Sequence, residues 1–136
     1  MGRIMGIDYG MKRTGISVTD PLQLIVTGLD TVETPELPTF IEQYFKQEEV
    51  EKVVFGLPTH ADGNPTHLTP VIQKFAKQLQ NLFPAVEIDF QDEAYTSKKA
   101  KEILLHSGVS KKKRRDKSKV DRISAVLILQ AYLHHI

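Results

Sequence analysis

Cysteine is absent from the 136-residue sequence, so disulfides and any thiolate-based zinc or redox centre are excluded. Long apolar runs are missing as well. Nothing approaches the ~18–20 consecutive residues that span a bilayer, and Met1-Gly2-Arg3-Ile4 leads into a short strand-like run with no signal-peptide pattern. These absences set the expected location, a reducing cytoplasm with no membrane partner. Little net charge is left either, a formal +1 from 18 Lys and Arg against 17 Asp and Glu. The near-balance hides an asymmetry. Residues 98–122 hold eleven basic side chains against three acids, which is +8 for that stretch and leaves −7 for the rest. A concentrated cationic segment on an otherwise acidic chain suggests an anionic partner, nucleic acid being the commonest; a solvated charged loop is the alternative. With 40% hydrophobic and 26% charged residues, the composition is that of one globular domain, expected over 1–136 without a linker.

Two strand-like runs come first, Ile4-Met5-Gly6-Ile7 ending at Asp8-Tyr9-Gly10, and Gly15-Ile16-Ser17-Val18 after Met11-Lys12-Arg13. A third extended stretch, Leu24-Ile25-Val26-Thr27-Gly28-Leu29, follows Asp20-Pro21 and completes a three-stranded meander. After Pro35 and Pro38 the spacing of Phe40, Ile41, Tyr44 and Phe45 becomes helical. Val53-Val54-Phe55-Gly56 reads as a strand covered on both faces, Leu68 to Phe83 as a helix, and Val86 to Phe90 as the last strand. Helices from about Ser97 to His106 and from about Lys119 to His134, separated by Gly108 and a basic run, close the predicted order β-β-β-α-β-α-β-α-α. There is no internal repeat, and the basic run is the nearest thing to low complexity.

Three acids fall at element ends. Asp8 stands at the tip of the first strand, where Gly10 permits a tight turn and close approach of a ligand. Glu93 closes the last strand in Phe90-Gln91-Asp92-Glu93, and Asp121 is expected in the first turn of the last helix. Each has a plain explanation when taken alone: Asp8 as a turn initiator, Asp92 or Glu93 favouring a helix N-terminus that Thr96 or Ser97 caps, and Asp121 complementing a helix dipole. As a set they gain another. In one topology these three positions lie side by side, and convergent carboxylates repel unless cations sit between them. Mg²⁺ or Mn²⁺ suits such hard oxygen donors, and two ions ~3.5–4 Å apart can activate a water and stabilise the leaving oxygen of a phosphodiester.

The loop Gly56-Leu57-Pro58-Thr59-His60-Ala61-Asp62-Gly63-Asn64-Pro65 follows a central strand, where α/β sheets tend to place ligand contacts, and is expected to rim the site unless it is a simple connector. His60 and His67 lack further ligands for zinc and are expected to face solvent, while His106, His134 and His135 fit helix ends. Lys111, Lys112, Lys113, Arg114, Arg115, Lys117 and Lys119 run into Asp121 and are expected to hold the substrate backbone, with Lys12 and Arg13 beside Asp8 as further phosphate contacts.

The segments Gly6-Ile7-Asp8-Tyr9-Gly10, Lys12-Arg13-Thr14-Gly15-Ile16, Gly56-Leu57-Pro58, Asp62-Gly63, Asp92-Glu93, and Val120-Asp121 before Ser124-Ala125-Val126-Leu127-Ile128-Leu129 occur in order, and together they resemble the YqgF (RuvX) family. The resemblance covers essentially the whole chain. It implies a ribonuclease-H-like fold, α/β, with a mixed sheet built from a three-stranded antiparallel meander plus parallel strands and flanked by helices. It also implies a divalent-metal-dependent nuclease, a hydrolase acting on ester bonds, with Asp8, Glu93 and Asp121 at the family's acidic positions. The implied substrate is the 5′ end of pre-16S ribosomal RNA, or alternatively a four-way DNA junction, in a monomer or a homodimer. One departure stands out: the family commonly carries Asp-Glu-Arg, whereas Ala94 follows Glu93 here, so either a phosphate contact made by that arginine passes to a residue such as Arg13 or one in the basic run, or activity is weaker.

Two rivals are weaker on the residues. The Asp-Tyr-Gly hairpin is also similar to the phosphate loop of actin-like and sugar-kinase ATPases, but those close two such domains over a nucleotide and this length allows one. A non-catalytic RNA-binding or ribosome-assembly module gains nothing from three acids that repel phosphate.

Overall fold

The computed structural model describes residues 2–58, 66–92 and 117–135, with side chains from Arg122 onward in the last segment. Five strands form one sheet: β1 (Arg3–Asp8), β2 (Arg13–Thr19), β3 (Val26–Glu33), β4 (Val50–Leu57) and β5 (Glu87–Asp92). Their spatial order is β3-β2-β1-β4-β5. The meander β3-β2-β1 is antiparallel, and β1, β4 and β5 run parallel. Among the described residues three helices accompany them, α1 (Leu37–Gln47), α2 (Leu68–Leu82) and α3 (Lys117–Tyr132). The mixed meander-plus-parallel sheet agrees with the expected architecture. The helix expected near 97–106 lies outside the described residues, and among those described no helix is long and apolar enough to cross a membrane.

Alternation along β1 decides what each face holds. Met5 and Ile7 enter the larger core with Ile16, Val18, Val53 and Phe55, against Leu37 and Ile41 of α1 and Ile72, Ala76 and Leu79 of α2. Ile4 and Gly6 point the other way, where Ile4 and Val54 meet Ile128 and Leu129 of α3. Strand β4 is buried through Val53, Val54 and Phe55 because it is covered on both sides, which is why it reads as an unbroken apolar run. Pro38 suits the first turn of α1, where its missing N–H costs nothing.

Helix α3 follows one row of the sheet. Gly28, Ser17, Gly6, Val54 and Asp89 are consecutive partners across all five strands. Along that row the Arg122 side chain lies over Gly28, the Ser17 hydroxyl donates to the Ala125 carbonyl at 2.7 Å, Leu129 covers Gly6, and Tyr132 donates to Asp89 Oδ2 at 2.6 Å. Small residues in the middle of the row form a trough that lets the helix come close. A Cβ on Gly6 would stand 2.5 Å from Ser17 Oγ and 2.6 Å from Leu129 Cγ. At its far end the helix is held by polar contacts: Lys52 Nζ donates to the Tyr132 hydroxyl at 2.8 Å and pairs with Glu87 at 3.6 Å. The Tyr132 hydrogen bond is the main reason the Asp89 carboxyl is held below its ordinary range.

One expectation is corrected. The third strand begins at Val26, not near Leu24, because Asp20 organises the preceding residues into a loop: its carboxylate accepts the N–H groups of Leu22, Leu24 and Ile25 at 3.1, 2.8 and 2.7 Å. Leu24 and Ile25 are consequently 65% and 66% exposed, despite their strand-like character.

Gly6→Ala is expected to lower unfolding free energy by about 1–3 kcal/mol through overpacking, read as a lower urea midpoint. Tyr132→Phe is expected to cost about 1 kcal/mol at neutral pH. Because the folded Asp89 carboxyl is depressed, its contribution is present above the ordinary carboxylate pKa and is lost as pH falls through the folded value. The gap between wild type and Tyr132→Phe should therefore narrow on going from neutral pH to about pH 3, measured by urea denaturation at each pH.

Candidate active site

Asp8 is the last residue of β1 and is half-buried. It continues the side of the sheet that Ile4 and Gly6 turn to α3. In the sheet register it stands one step beyond the Ile7–Phe55–Phe90 row, level with Gly56 and Gln91, and opposite Gly15. The carboxyl ends of β1, β4 and β5 thus meet at one edge, the usual place for ligands in a sheet with parallel strands. Asp92 is the final residue of β5 at that edge.

The turn after Asp8 is fixed from two sides. Tyr9 packs its ring on Phe75 of α2, centroids 5.5 Å apart. Thr34, in the short 3-10 turn before α1, holds the opposite side. Its hydroxyl donates to the Gly10 carbonyl at 2.5 Å, and its N–H donates to the Lys12 carbonyl at 2.9 Å. The Thr34 hydrogen is thereby used, so in the 2.9 Å contact between the two buried hydroxyls Thr14 is the donor. The turn closes on itself as well: a Cβ on Gly10 would collide with the Arg13 carbonyl, which is the tight approach expected of that glycine. Met11, Lys12 and Arg13 are left exposed at its tip.

The other expected site residues are reached less fully. Glu93, the loop residues Thr59 to Pro65, and Lys111, Lys112, Lys113, Arg114 and Arg115 lie outside the described residues, as do His60 and His106. Lys117, Lys119 and Asp121 are helical in backbone. Here the structure corrects the sequence reading. Helix α3 begins at Lys117, so Asp121 is the fifth helical residue and stands beyond the first turn, which holds no acid. Its position is therefore not explained by complementing the exposed amides of a helix N-terminus. One turn later, Ser124 Oγ is buried with no hydrogen-bond partner among the described residues. His67 is exposed, as expected, and His134 and His135 are exposed just past the end of α3.

Among the described residues no group of three His, Asp or Glu is gathered that could hold a metal ion. The expected donor set nonetheless fits a hard cation. It is all carboxylate, Asp8 faces the helix that carries Asp121, and the orphaned Ser124 hydroxyl lies on the sheet side of that helix. A cavity of about 660 Å³ lies elsewhere. It is floored by Phe45, Leu79 and Phe83 beside the start of β4 and rimmed by Glu42, Glu48 and Glu49. Its apolar floor and acidic rim are a poor match for a phosphodiester.

Sequence reasoning missed Thr34 and Tyr9 as supports of the turn. Neither carried a signal, because their partners are 24 and 66 residues away in the chain.

Comparison with known proteins comes from three directions. The family model for RuvX, described as Holliday junction resolvase, matches residues 2–135. A protein of Christiangramia forsetii named as a candidate pre-16S rRNA nuclease is 48% identical over 134 residues, covering 98% of this chain and 99% of that one. A Porphyromonas gingivalis protein of the same name is 47% identical over 133 residues, covering 98% and 96%. Among solved structures, the fowlpox virus resolvase in complex with Holliday junction DNA superposes with a TM-score of 0.61 at 9% identity, covering 98% of this chain and 97% of that one. RuvC of T. thermophilus with a Holliday junction substrate gives 0.57 at 17% identity, with 98% and 96% covered. At such low identity these two speak for the fold, which is ribonuclease-H-like.

Thr34→Val removes the donor to Gly10 and the acceptor for buried Thr14. It is expected to cost about 1–3 kcal/mol and to speed amide exchange across residues 9–13 ahead of the rest of β1 and β2, measured by native-state hydrogen exchange.

Proposed function

This chain belongs to the RuvX family, and on that premise we propose that it is a divalent-metal-dependent nuclease that trims the 5′ end of pre-16S ribosomal RNA. The observation that carries the reading is Asp8. It is a carboxylate at the carboxyl edge of the sheet, on the face covered by the helix that carries Asp121, in a chain close to half identical to relatives named for that activity. Asp89, four residues before Glu93 in the sequence, is bonded to that helix, and Glu93 is proposed as the third acid of the set.

Asp8, Glu93 and Asp121 are assigned as the residues that would hold Mg²⁺ or Mn²⁺, two ions with substrate bound, which would supply water activation and charge neutralisation for phosphodiester hydrolysis. The rest is done by the chain itself. Lys12 and Arg13 stand on a turn braced by Tyr9 and Thr34, so they meet the substrate backbone with little ordering cost. Lys111, Lys112, Lys113, Arg114, Arg115, Lys117 and Lys119 are assigned as further contacts to the substrate backbone, which fix its register. The −7 carried outside residues 98–122 repels nucleic acid elsewhere, which concentrates binding at the edge.

A second reading, cleavage of four-way DNA junctions, is favoured by the fold shared with two junction resolvases. The two are separated by one assay, run on a 5′-extended ribosomal RNA precursor and a labelled four-way DNA junction in parallel, with Mg²⁺ or Mn²⁺. RNA cleavage is expected. Asp8→Asn should lower it by more than the ~10–100-fold that losing a hydrogen-bonding partner of a metal ligand costs. Symmetric nicks in the DNA junction, with the RNA intact, would replace the first reading by the second, and cleavage undiminished in Asp8→Asn would remove the assigned site.

A further inference from the structure

We propose that Met11 is a nucleobase contact, and that the β1–β2 turn is a binding site for a base taken out of its stack beside the phosphate gripped by Lys12 and Arg13. The proposal rests on the nuclease reading above for its substrate class and adds what the turn does to it.

Met11 is 61% exposed at the tip of a turn that is otherwise polar. A single exposed apolar side chain is ordinary on a protein surface. What distinguishes this one is the bracing beneath it. Tyr9 is packed on Phe75, Gly10 and Lys12 are bonded to Thr34, and Gly10 is pressed against Arg13, so the backbone on both sides of Met11 is held. Retreat of the side chain into the core is blocked. The larger core is already filled beneath the turn by Ile7, Ile16 and Phe55.

Chemistry and position agree. Met11 lies three residues beyond Asp8, at the edge where the carboxyl ends of β1, β4 and β5 meet. The exposed side chains of Lys12 and Arg13 follow it directly. Cations that grip phosphates next to one apolar side chain reproduce the arrangement by which proteins insert a wedge between base steps, with Met among the side chains used. A methionine thioether is unbranched and polarizable, and it makes favourable contact with aromatic faces whatever their hydrogen-bonding edges. The site therefore selects for disturbed stacking, at a duplex end or a junction, and not for sequence.

The test uses the full chain without divalent cations, so that binding is read apart from cleavage. The probe is an RNA duplex with a 5′ single-stranded extension, carrying 2-aminopurine at successive positions through the junction, together with its DNA counterpart. Binding of the wild type is expected to raise fluorescence at one or two adjacent positions in at least one of the two. In Met11→Ala that rise should shrink by about fivefold or more, while the dissociation constant changes by less than about threefold because phosphate contacts dominate affinity. Met11→Leu should keep the rise, and Lys12→Ala should keep it while flattening the salt dependence of binding. No rise in the wild type, an undiminished rise in Met11→Ala, or equal loss in Met11→Leu would each overturn the proposal. Its failure is distinguishable from that of the nuclease reading. A Met11-dependent rise with no cleavage under Mg²⁺ or Mn²⁺ sinks the nuclease and leaves the base site standing, and cleavage without such a rise does the reverse.

Discussion

The closeness of α3 to the sheet depends on one row of residues. Gly28, Ser17 and Gly6 leave a trough, and the Ser17 hydroxyl fills it with a hydrogen bond to a helical carbonyl instead of a bulky side chain. The sheet face could have been apolar throughout, but a helix seated on larger residues would ride higher and the level of Asp8 relative to that helix would change. Asp8 is two residues along β1 from Gly6, so the packing distance at Gly6 is inherited by the edge where the acid stands. Interiors packed at crystal-like density transmit such differences and do not absorb them.

The two faces of the sheet are held by different means, and each suits what it positions. On the α1 and α2 side the hold is aromatic and aliphatic, with Phe55 lying 5.9 Å from Phe75 and 6.1 Å from Phe90, and the Tyr9 ring continuing that cluster to the edge where Asp8 stands. On the α3 side the apolar cluster is small, and a Lys52–Tyr132–Asp89 chain of hydrogen bonds supplements it. Burial of that kind of network costs desolvation but is directional, so it specifies where along the row the helix ends. Fixing the end of α3 at Tyr132 also fixes how far its other end reaches, where Asp121 sits.

Much of this was legible in the sequence, for identifiable reasons. The strand at Val53 to Phe55 and the helix from Leu68 announce themselves because burial on two faces, or on one helical stripe, imposes its own spacing. Asp8 was readable because a carboxylate ending an apolar strand is conspicuous. The start of β3 was not readable from Leu24 and Ile25, whose apolar character suggests a strand. Only the Asp20 carboxylate, gathering three backbone amides, sets them in a loop. The trough was invisible for another reason. Gly6, Ser17 and Gly28 look like weak strand formers one at a time, and acquire meaning only once pairing aligns them. Thr34 likewise shows its role through contacts that no local pattern encodes.

That α3 lies across the first three strands also governs the order in which the molecule comes into being. The meander of residues 3–33 is local in sequence and can pair early, since short loops close cheaply. Its α3-facing side, however, waits for residues 117–132, which leave the ribosome well after the meander. Until then Gly6 and Ser17 are uncovered, the Ser17 hydroxyl has only water to bond, and Asp8 stands on a half-finished sheet. An unfinished chain can thus carry the front half of the edge at Asp8 without a helix to complete it, so that edge is assembled only after the helix has been made.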